Sequence, residues 1–197
     1  LTRIFTAGTL AELRWWGDPA RGYLESERAR TFVDNWDTER AGSTLTHADG
    51  AAYTLANIFV LAWPYGSPNV YSGYEFSDRD QGPPGGGAVS ACARDGWTCH
   101  HAGPRITAMV AFRNAVAGTP VTDWWDNGGD AVAFGRGETG YVVLNHEAGP
   151  ITETFTTSLP AGSYRDLQHG RTYTVDPRGR FTATVDAGDA LALLRRG

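Results

Sequence analysis

The sequence predicts an α/β fold followed by an all-β antiparallel sandwich. Residues 1–118 alternate between helix-like and strand-like patterns, the order expected of a parallel α/β unit. Residues 119–197 instead contain short apolar runs separated by turn residues, as in antiparallel sandwiches. The two patterns meet near Gly118. With 197 residues, the chain is long enough to bury a sizeable core in one large or two small domains.

Three helices are predicted from apolar residues at helical spacing. The first spans Ile4–Trp16 and ends at a Gly-Asp-Pro turn. The second runs from a cap at Asp49 to Pro64, which cannot continue a helix. The third begins at Pro104, a residue favoured in the first turn, and ends at Gly118.

Strands are predicted in both parts of the chain. The first part has two, over Arg30–Asp37 and Val70–Phe76. After Gly118, short β-rich runs lie between turn residues such as Asp-Asn-Gly-Gly and Asp-Pro-Arg-Gly. These runs are Ala131–Phe134, Tyr141–Leu144, Thr152–Thr157, Thr172–Val175 and Phe181–Val185.

Composition excludes several classes of function. A net charge of -5 and a pI near 5.5 argue against nucleic acid or an anionic membrane as a partner. All 17 basic residues are Arg, which excludes Schiff-base, P-loop and kinase lysines. No apolar run approaches the roughly 20 residues of a membrane span. Because the chain begins at Leu1 and its sole Met is Met109, we expect a fragment of a longer protein.

The motif that carries most chemical information is FVDNWDTER, at Phe32–Arg40. An apolar strand end is followed by several charged residues, so a carboxylate, that of Asp37, is expected where a buried strand meets solvent. The segment resembles the seventh-strand motif of α-amylases in glycoside hydrolase family 13, which reads FVDNHD followed by TER in actinobacterial members.

Seven further segments carry the same resemblance. All eight occur in the family's order and at its spacing, and together they extend over essentially the whole chain. The seven are LAWPYGSPNVYSGYEF (Leu61–Phe76), QGPP (Gln81–Pro84), DGWTC (Asp95–Cys99), MVAFRNAV (Met109–Val116), WWDNG (Trp124–Gly128), AFGRG (Ala133–Gly137) and LPAGSY (Leu159–Tyr164).

The resemblance implies both a fold and an activity. Residues 1–118 would be the C-terminal part of a (β/α)8 TIM barrel, from helix six to helix eight, and residues 119–197 the family's all-β C-terminal domain. The implied parent is a secreted α-amylase, monomeric at full length, that cleaves α-1,4-glucosidic bonds of starch and malto-oligosaccharides with retention. In the family, the nucleophile, the general acid and most calcium ligands lie upstream of the position of Leu1. We therefore expect no metal or cofactor site within this fragment, and no activity of the fragment alone.

Two site residues follow from the matched motif. Asp37 takes the position of the family's transition-state stabiliser, which binds sugar hydroxyls. Trp36 stands where the family has His, and it would belong to the substrate-binding site. An indole has one donor, no acceptor and a larger volume, so Trp36 could either stack on the sugar or fill the subsite. Of their charged neighbours, Asp34 is expected to be structural, and Glu39 is expected to pair with Arg40.

The two cysteines, Cys92 and Cys99, lie close together in a Gly-rich region. No second Cys pair is present, which argues against zinc. The family resemblance implies a disulfide between them, as suits a secreted protein. His100 and His101 are expected to be structural, and the tryptophan pair 124–125 to pack between the two domains.

Two other functional hypotheses remain open. A non-catalytic carbohydrate-binding or interaction protein derived from an α-amylase would explain Trp36 and the absent nucleophile. The other hypothesis is that the chain is an incomplete gene product without activity. An Asp on strand four and a Glu on strand five upstream of Leu1 would favour the enzyme.

Overall fold

The computed structural model describes residues 1–89, 92 and 94–195. An N-terminal part of helices and one parallel strand pair precedes a part made of antiparallel strands. The predicted order of an α/β region followed by an antiparallel all-β region is therefore confirmed. No helix in the described part of the chain is long and apolar enough to cross a membrane.

The described residues of the N-terminal part form four α-helices and two short strands. Helices α2 and α3 lie in the chain between β1 and β2, which pair in parallel through Arg30 with Ser67 and Thr31 with Pro68. This is the strand–helix–strand connection expected of a parallel unit. The elements are α1 (Thr2–Ala7), β1 (Arg30–Thr31), α2 (Trp36–Ala41), α3 (Ala51–Ala62), β2 (Ser67–Pro68) and α4 (Pro104–Ala115). Short 3₁₀ turns occupy Leu10–Trp15, Pro19–Arg21, Ser26–Arg28, His47–Asp49, Pro84–Gly87 and His100–Ala102.

The prediction of one continuous helix over Ile4–Trp16 is wrong. Helix α1 ends at Ala7, and a 3₁₀ turn begins at Leu10. The break has a local cause: the main-chain N–H of Thr9 donates to the Glu12 carboxylate at 3.2 Å. This capping interaction starts a new turn instead of extending the first helix.

Neither strand predicted in the first part forms over its predicted length. The strand predicted over Arg30–Asp37 is regular only over β1, because a cap at Asn35 starts α2 at the next residue. The segment Val70–Phe76 forms no extended strand. Among the described residues, its β-pairing is limited to an isolated antiparallel bridge between Tyr74 and Trp97.

Helices α3 and α4 agree better with the sequence prediction. Nine of the twelve residues of α3 are buried, so this helix lies inside the core. It starts after Gly50 rather than at Asp49, whose carboxylate accepts from the Thr46 N–H at 2.7 Å and closes the preceding 3₁₀ turn. Helix α4 begins at Pro104, as predicted.

Between residues 119 and 195, the all-β part has eight strands in antiparallel pairs. A four-stranded sheet has the order β10-β5-β4-β3, and β6–β9 and β7–β8 form two further pairs. The strands are β3 (Val121–Asp126), β4 (Ala131–Arg136), β5 (Gly140–Asn145), β6 (Ile151–Thr156), β7 (Gly162–Arg165), β8 (Thr172–Val175), β9 (Arg180–Val185) and β10 (Asp189–Leu194). The sequence pattern predicts β4, β5, β6, β8 and β9 but not β3, β7 and β10.

Both faces of the four-stranded sheet contribute to hydrophobic cores. Phe134 and Val142 face the helices of the N-terminal part, whereas Tyr141 and Val143 face β6 and β9 across the sandwich. Because successive strand residues point to opposite faces, one sheet serves both cores. Strands β4 and β5 are accordingly buried at every position.

The tryptophan pair divides between these two cores. Trp124 contacts Trp63 at a ring distance of 5.8 Å and so packs between the two parts, as predicted. Trp125 packs on Phe155 at 5.2 Å, inside the sandwich. The expectation that both rings lie between the domains is therefore wrong for Trp125, because neighbouring strand residues point to opposite faces.

Arg136 joins the two parts by hydrogen bonds. Its guanidinium is buried and donates to the carbonyls of Ala62, Val116 and Thr119. Burial, with a smaller effect of the neighbouring Arg113, lowers the pKa of Arg136 to about 10. The guanidinium thus satisfies carbonyls at the C-terminal ends of α3 and α4.

Candidate functional site

A cavity of about 600 Å³ lies where the two parallel strands end. Its walls come mainly from the residues that follow β1 and β2, and the carboxyl ends of parallel strands are the usual place for ligand sites in such folds. The lining residues are Arg30, Phe32, Asp34, Asn35, Asn69, Val70, Tyr71 and Ser72.

Trp36 and Asp37 directly follow Asn35, a lining residue of this cavity, although neither of them lines it. The side chain of Asn35 accepts from the Thr38 N–H at 3.0 Å, and the Thr38 hydroxyl accepts from the Asn35 N–H at 2.9 Å. This reciprocal cap puts Trp36 and Asp37 in the first turn. Asp37 is exposed, and among the described residues no hydrogen bond or ion pair reaches its carboxylate. The carboxylate is therefore free to contact a ligand.

Asp34, in contrast, points into the protein. It is 2% exposed and accepts a hydrogen bond from the Tyr53 hydroxyl at 3.0 Å. Burial raises the pKa of Asp34 to about 6, against the smaller opposing effect of the Tyr53 hydrogen bond. Burial likewise raises the pKa of Tyr53. These contacts agree with the structural role expected for Asp34.

Glu39 and Arg40 do not pair, and that expectation is wrong. Glu39 is buried, with Oε1 3.3 Å from Nδ1 of His47. Nε2 of the same imidazole lies 3.2 Å from Glu75 Oε1, so His47 connects α2 to the loop that carries Glu75. Consecutive helix residues point in different directions, which sends Glu39 inward and Arg40 to another side. The sequence alone does not predict this role of His47.

His100 and His101 contact different neighbours. The His100 ring lies 5.6 Å from His47 and 5.2 Å from Tyr53, and burial lowers its pKa. His101 holds Ser72, a residue of the cavity wall, through a contact of 2.8 Å between Nδ1 and Oγ. Burial, with a smaller effect of Glu39, also raises the pKa of Tyr71 in this wall to about 12.

The predicted disulfide between Cys92 and Cys99 is present, with the two Cα atoms 5.2 Å apart. Within residues 1–89, 92 and 94–195, no group of three or more His, Cys, Asp or Glu side chains is arranged to hold a metal ion.

Comparison with known proteins identifies the family. The family model for the α-amylase C-terminal all-β domain matches residues 122–196. The chain is 54% identical over 193 residues to an α-amylase of Streptomyces violaceus, a match that covers 98% of this chain and 34% of that protein. It is 38% identical to the α-amylase of Tenebrio molitor, over 96% of this chain and 42% of that protein.

A solved structure gives the same result. A crystal structure of a variant of α-amylase I from Eisenia fetida, in complex with maltohexaose, matches with a TM-score of 0.92 and 31% identity. The match covers 100% of this chain and 47% of that one. Fold and matches together show that the chain is homologous to α-amylases along its whole length. The chain belongs to the α-amylase family, and it spans about a third of the length (34%) of the Streptomyces relative.

Proposed function

We propose that this chain is the C-terminal portion of an α-amylase that hydrolyses internal α-1,4-glucosidic bonds of starch and malto-oligosaccharides with retention. One observation carries the assignment to the site. Asp37 presents an exposed carboxylate, unpaired among the described residues, two residues after Asn35, which lines a cavity of about 600 Å³ formed by the segments that follow two parallel strands. The family resemblance places the transition-state stabiliser at the same residue.

Asp37 would act electrostatically. Cleavage of a glycosidic bond passes through an oxocarbenium-like transition state, in which positive charge develops on the sugar ring. A fixed carboxylate beside that ring stabilises the charge and accepts hydrogen bonds from sugar hydroxyls. Retention further requires a nucleophile and a general acid about 5–5.5 Å apart. In this proposal, both come from a part of the enzyme that precedes Leu1.

The remaining family properties are proposed for the complete protein. The N-terminal part would complete a (β/α)8 barrel with segments outside this chain, with residues 1–118 as its share and residues 119–197 as the C-terminal domain. Secretion is supported by the Cys92–Cys99 disulfide, since disulfides persist mainly outside the cytosol. The complete enzyme would be a monomer. For the family's calcium ion we assign no ligand, because no suitable group of side chains occurs in the described part of the chain.

A second candidate function is favoured by Trp36. Its side chain is 47% exposed beside Asp37, where the family has a hydrogen-bonding His. A protein that binds α-glucans without cleaving them would keep an aromatic surface here and would not need the catalytic geometry.

A chimera distinguishes the two functions. In the Streptomyces violaceus α-amylase, the stretch aligned with this chain is replaced by residues 1–197. We expect the chimera to release reducing sugar from soluble starch with retained anomeric configuration, measured by NMR. A folded chimera that binds maltohexaose but does not cleave starch would favour the non-catalytic function. The isolated 197-residue chain is expected to be inactive, so starch hydrolysis by it that depends on Asp37 would contradict the proposal.

A further inference from the structure

The side chain of Arg40 is enclosed by aromatic rings. Its guanidinium carbon lies 4.6 Å from the ring centre of Trp36, 4.8 Å from that of Tyr74 and 3.9 Å from that of Phe76. Cation–π attraction operates within about 6 Å and is strongest for a cation removed from water. One cation thus holds three rings together.

Hydrogen bonds fix the position of this guanidinium. Nη1 donates to the carbonyls of Asp78 and Arg79 at 3.1 and 2.8 Å, and Nη2 donates to that of Gln81 at 3.1 Å. The Tyr74 hydroxyl donates to the same Gln81 carbonyl at 2.8 Å. Because Arg40 belongs to α2 and the carbonyls to the loop that follows β2, these bonds fix that loop against the helix. The planar guanidinium presents its donors in a fixed geometry and can stack on aromatic rings at the same time, whereas the ammonium of a lysine is a compact charge on a flexible stem.

Trp36 is the one strongly exposed ring of this cluster. Its side chain remains 47% exposed although Arg40 lies over one face and Tyr74 packs at 5.8 Å. Tyr74, by contrast, is 3% exposed. The indole is thus held from behind while its other face meets solvent, and the next residue is Asp37 with its exposed carboxylate.

We propose that Trp36 is a stacking platform for a glucose ring of an α-1,4-glucan, and that Arg40 is the positioning residue that orients it. This inference rests on the proposed function and names a binding element within that site. A pyranose has an apolar C–H face and a rim of hydroxyls. The indole would cover the face, and Asp37 would accept hydrogen bonds from the rim. Because Arg40 already holds the ring in place, little side-chain freedom is lost on binding.

The test measures binding of maltohexaose to the 197-residue chain. Tryptophan indole N–H signals are followed by NMR, with that of Trp36 assigned from a Trp36→Phe variant. We expect the Trp36 signal to shift on titration. Trp36→Ala should weaken affinity about tenfold, the effect of losing one large apolar contact, whereas Trp36→Phe should retain most of it.

Trp15 provides a matched control. It is 44% exposed and also lies under guanidinium groups, those of Arg14 and Arg21, at 5.3 and 4.8 Å. It belongs to the 3₁₀ turn Leu10–Trp15, before β1, and not to the segment after β1 that carries Trp36 and Asp37. Trp15→Ala should leave maltohexaose affinity unchanged.

Arg40→Lys tests positioning. It should shift or broaden the Trp36 signal and weaken affinity about threefold or more, because the charge remains but the planar donors are lost. If Arg40→Lys lowers the unfolding temperature but leaves the Trp36 signal and the maltohexaose affinity unchanged, Arg40 is merely structural.

The outcomes separate this inference from the proposed function. Binding by the native chain that is unaffected by Trp36→Ala overturns the platform, as does failure of the native chain to bind maltohexaose at millimolar concentrations. The proposed function itself is decided by the starch activity of the chimera, which does not depend on this titration.

Discussion

The Tyr53 hydroxyl donates a 3.0 Å hydrogen bond to Asp34, a carboxylate that is only 2% exposed and lies three residues before Asp37. This contact ties the segment after β1 to α3, the buried helix of the core. The position of the exposed Asp37 carboxylate thus depends on the buried carboxylate of Asp34.

The Asp34→Asn substitution should change how stability depends on pH. Burial raises the pKa of Asp34 from 3.8 to about 6, so the native state holds more protons than the unfolded chain within that window. The contribution of Asp34 to the free energy of unfolding is therefore lost as the pH rises from about 4 to about 6. Asn does not ionise, so the variant should gain about 1–3 kcal/mol over the wild type between pH 4 and 6. Urea unfolding at several pH values measures this.

Tyr53→Phe is the companion variant. Removing the donor should raise the pKa of Asp34 further, because that hydrogen bond favours the ionised carboxylate. The fall in stability with pH should then be steeper than in the wild type. The raised pKa of Asp34 would be contradicted if the stability difference between Asp34→Asn and the wild type stayed constant from pH 4 to 7.

Gly140→Ala should destabilise the contact between the two parts. A Cβ at Gly140 would lie 2.6 Å from the ring of Phe112 and 2.8 Å from Val116, both fully buried on or beside α4. Overpacking of this kind costs about 1–3 kcal/mol. The control is Gly149→Ala, where nothing lies within 4 Å of the added atom. Equal unfolding midpoints in urea for the two variants would show that α4 does not pack tightly on β5.

Arg136→Met should also weaken this contact. The substitution removes the donors to three carbonyls but keeps most of the apolar side-chain volume, so about 2–4 kcal/mol of stability should be lost. Arg180→Met is the control, because Arg180 pairs with Asp176 at the surface, at 3.2 Å. Chemical denaturation compares them. An Arg136 variant as stable as the wild type would mean that the guanidinium does not hold the two parts together.

The Cys92–Cys99 disulfide should leave no titratable thiol in unfolded, non-reduced protein. Replacing both cysteines by Ser should lower stability by about 2–3 kcal/mol, as expected for closing a short loop. Thiol titration and urea unfolding measure the two effects. Two free thiols per chain would contradict the bond.

Local signals account for the elements that the sequence predicted correctly. Helix α4 has a proline at its first position, and strands β4 and β5 lie between Gly-rich turns. The strand expected over Arg30–Asp37 failed because the Asn35-to-Thr38 cap starts a helix inside it, although that pattern is readable in the sequence. The strand predicted over Val70–Phe76 does not form, because a strand needs a pairing partner and the local sequence pattern does not reveal whether one is present.

The site was predictable only where the family resemblance reached it. The motif assigned Asp37 and Trp36, and their assignment stays a prediction. The contacts of His47 with Glu39 and Glu75 join residues from separate segments, so sequence spacing does not indicate them. Arg40 was expected to pair with its neighbour Glu39, yet its partners are loop carbonyls 38 to 41 residues away.

The most direct test of the central claim is the turnover number of the amylase chimera with and without Asp37→Asn. A neutral amide cannot offset the charge that develops on the sugar ring, so turnover on soluble starch should fall by about 10²–10³. Asp186→Asn, the same change at an exposed residue between β9 and β10, should leave turnover unchanged. Full activity of the Asp37→Asn chimera would contradict the assignment of this carboxylate to catalysis.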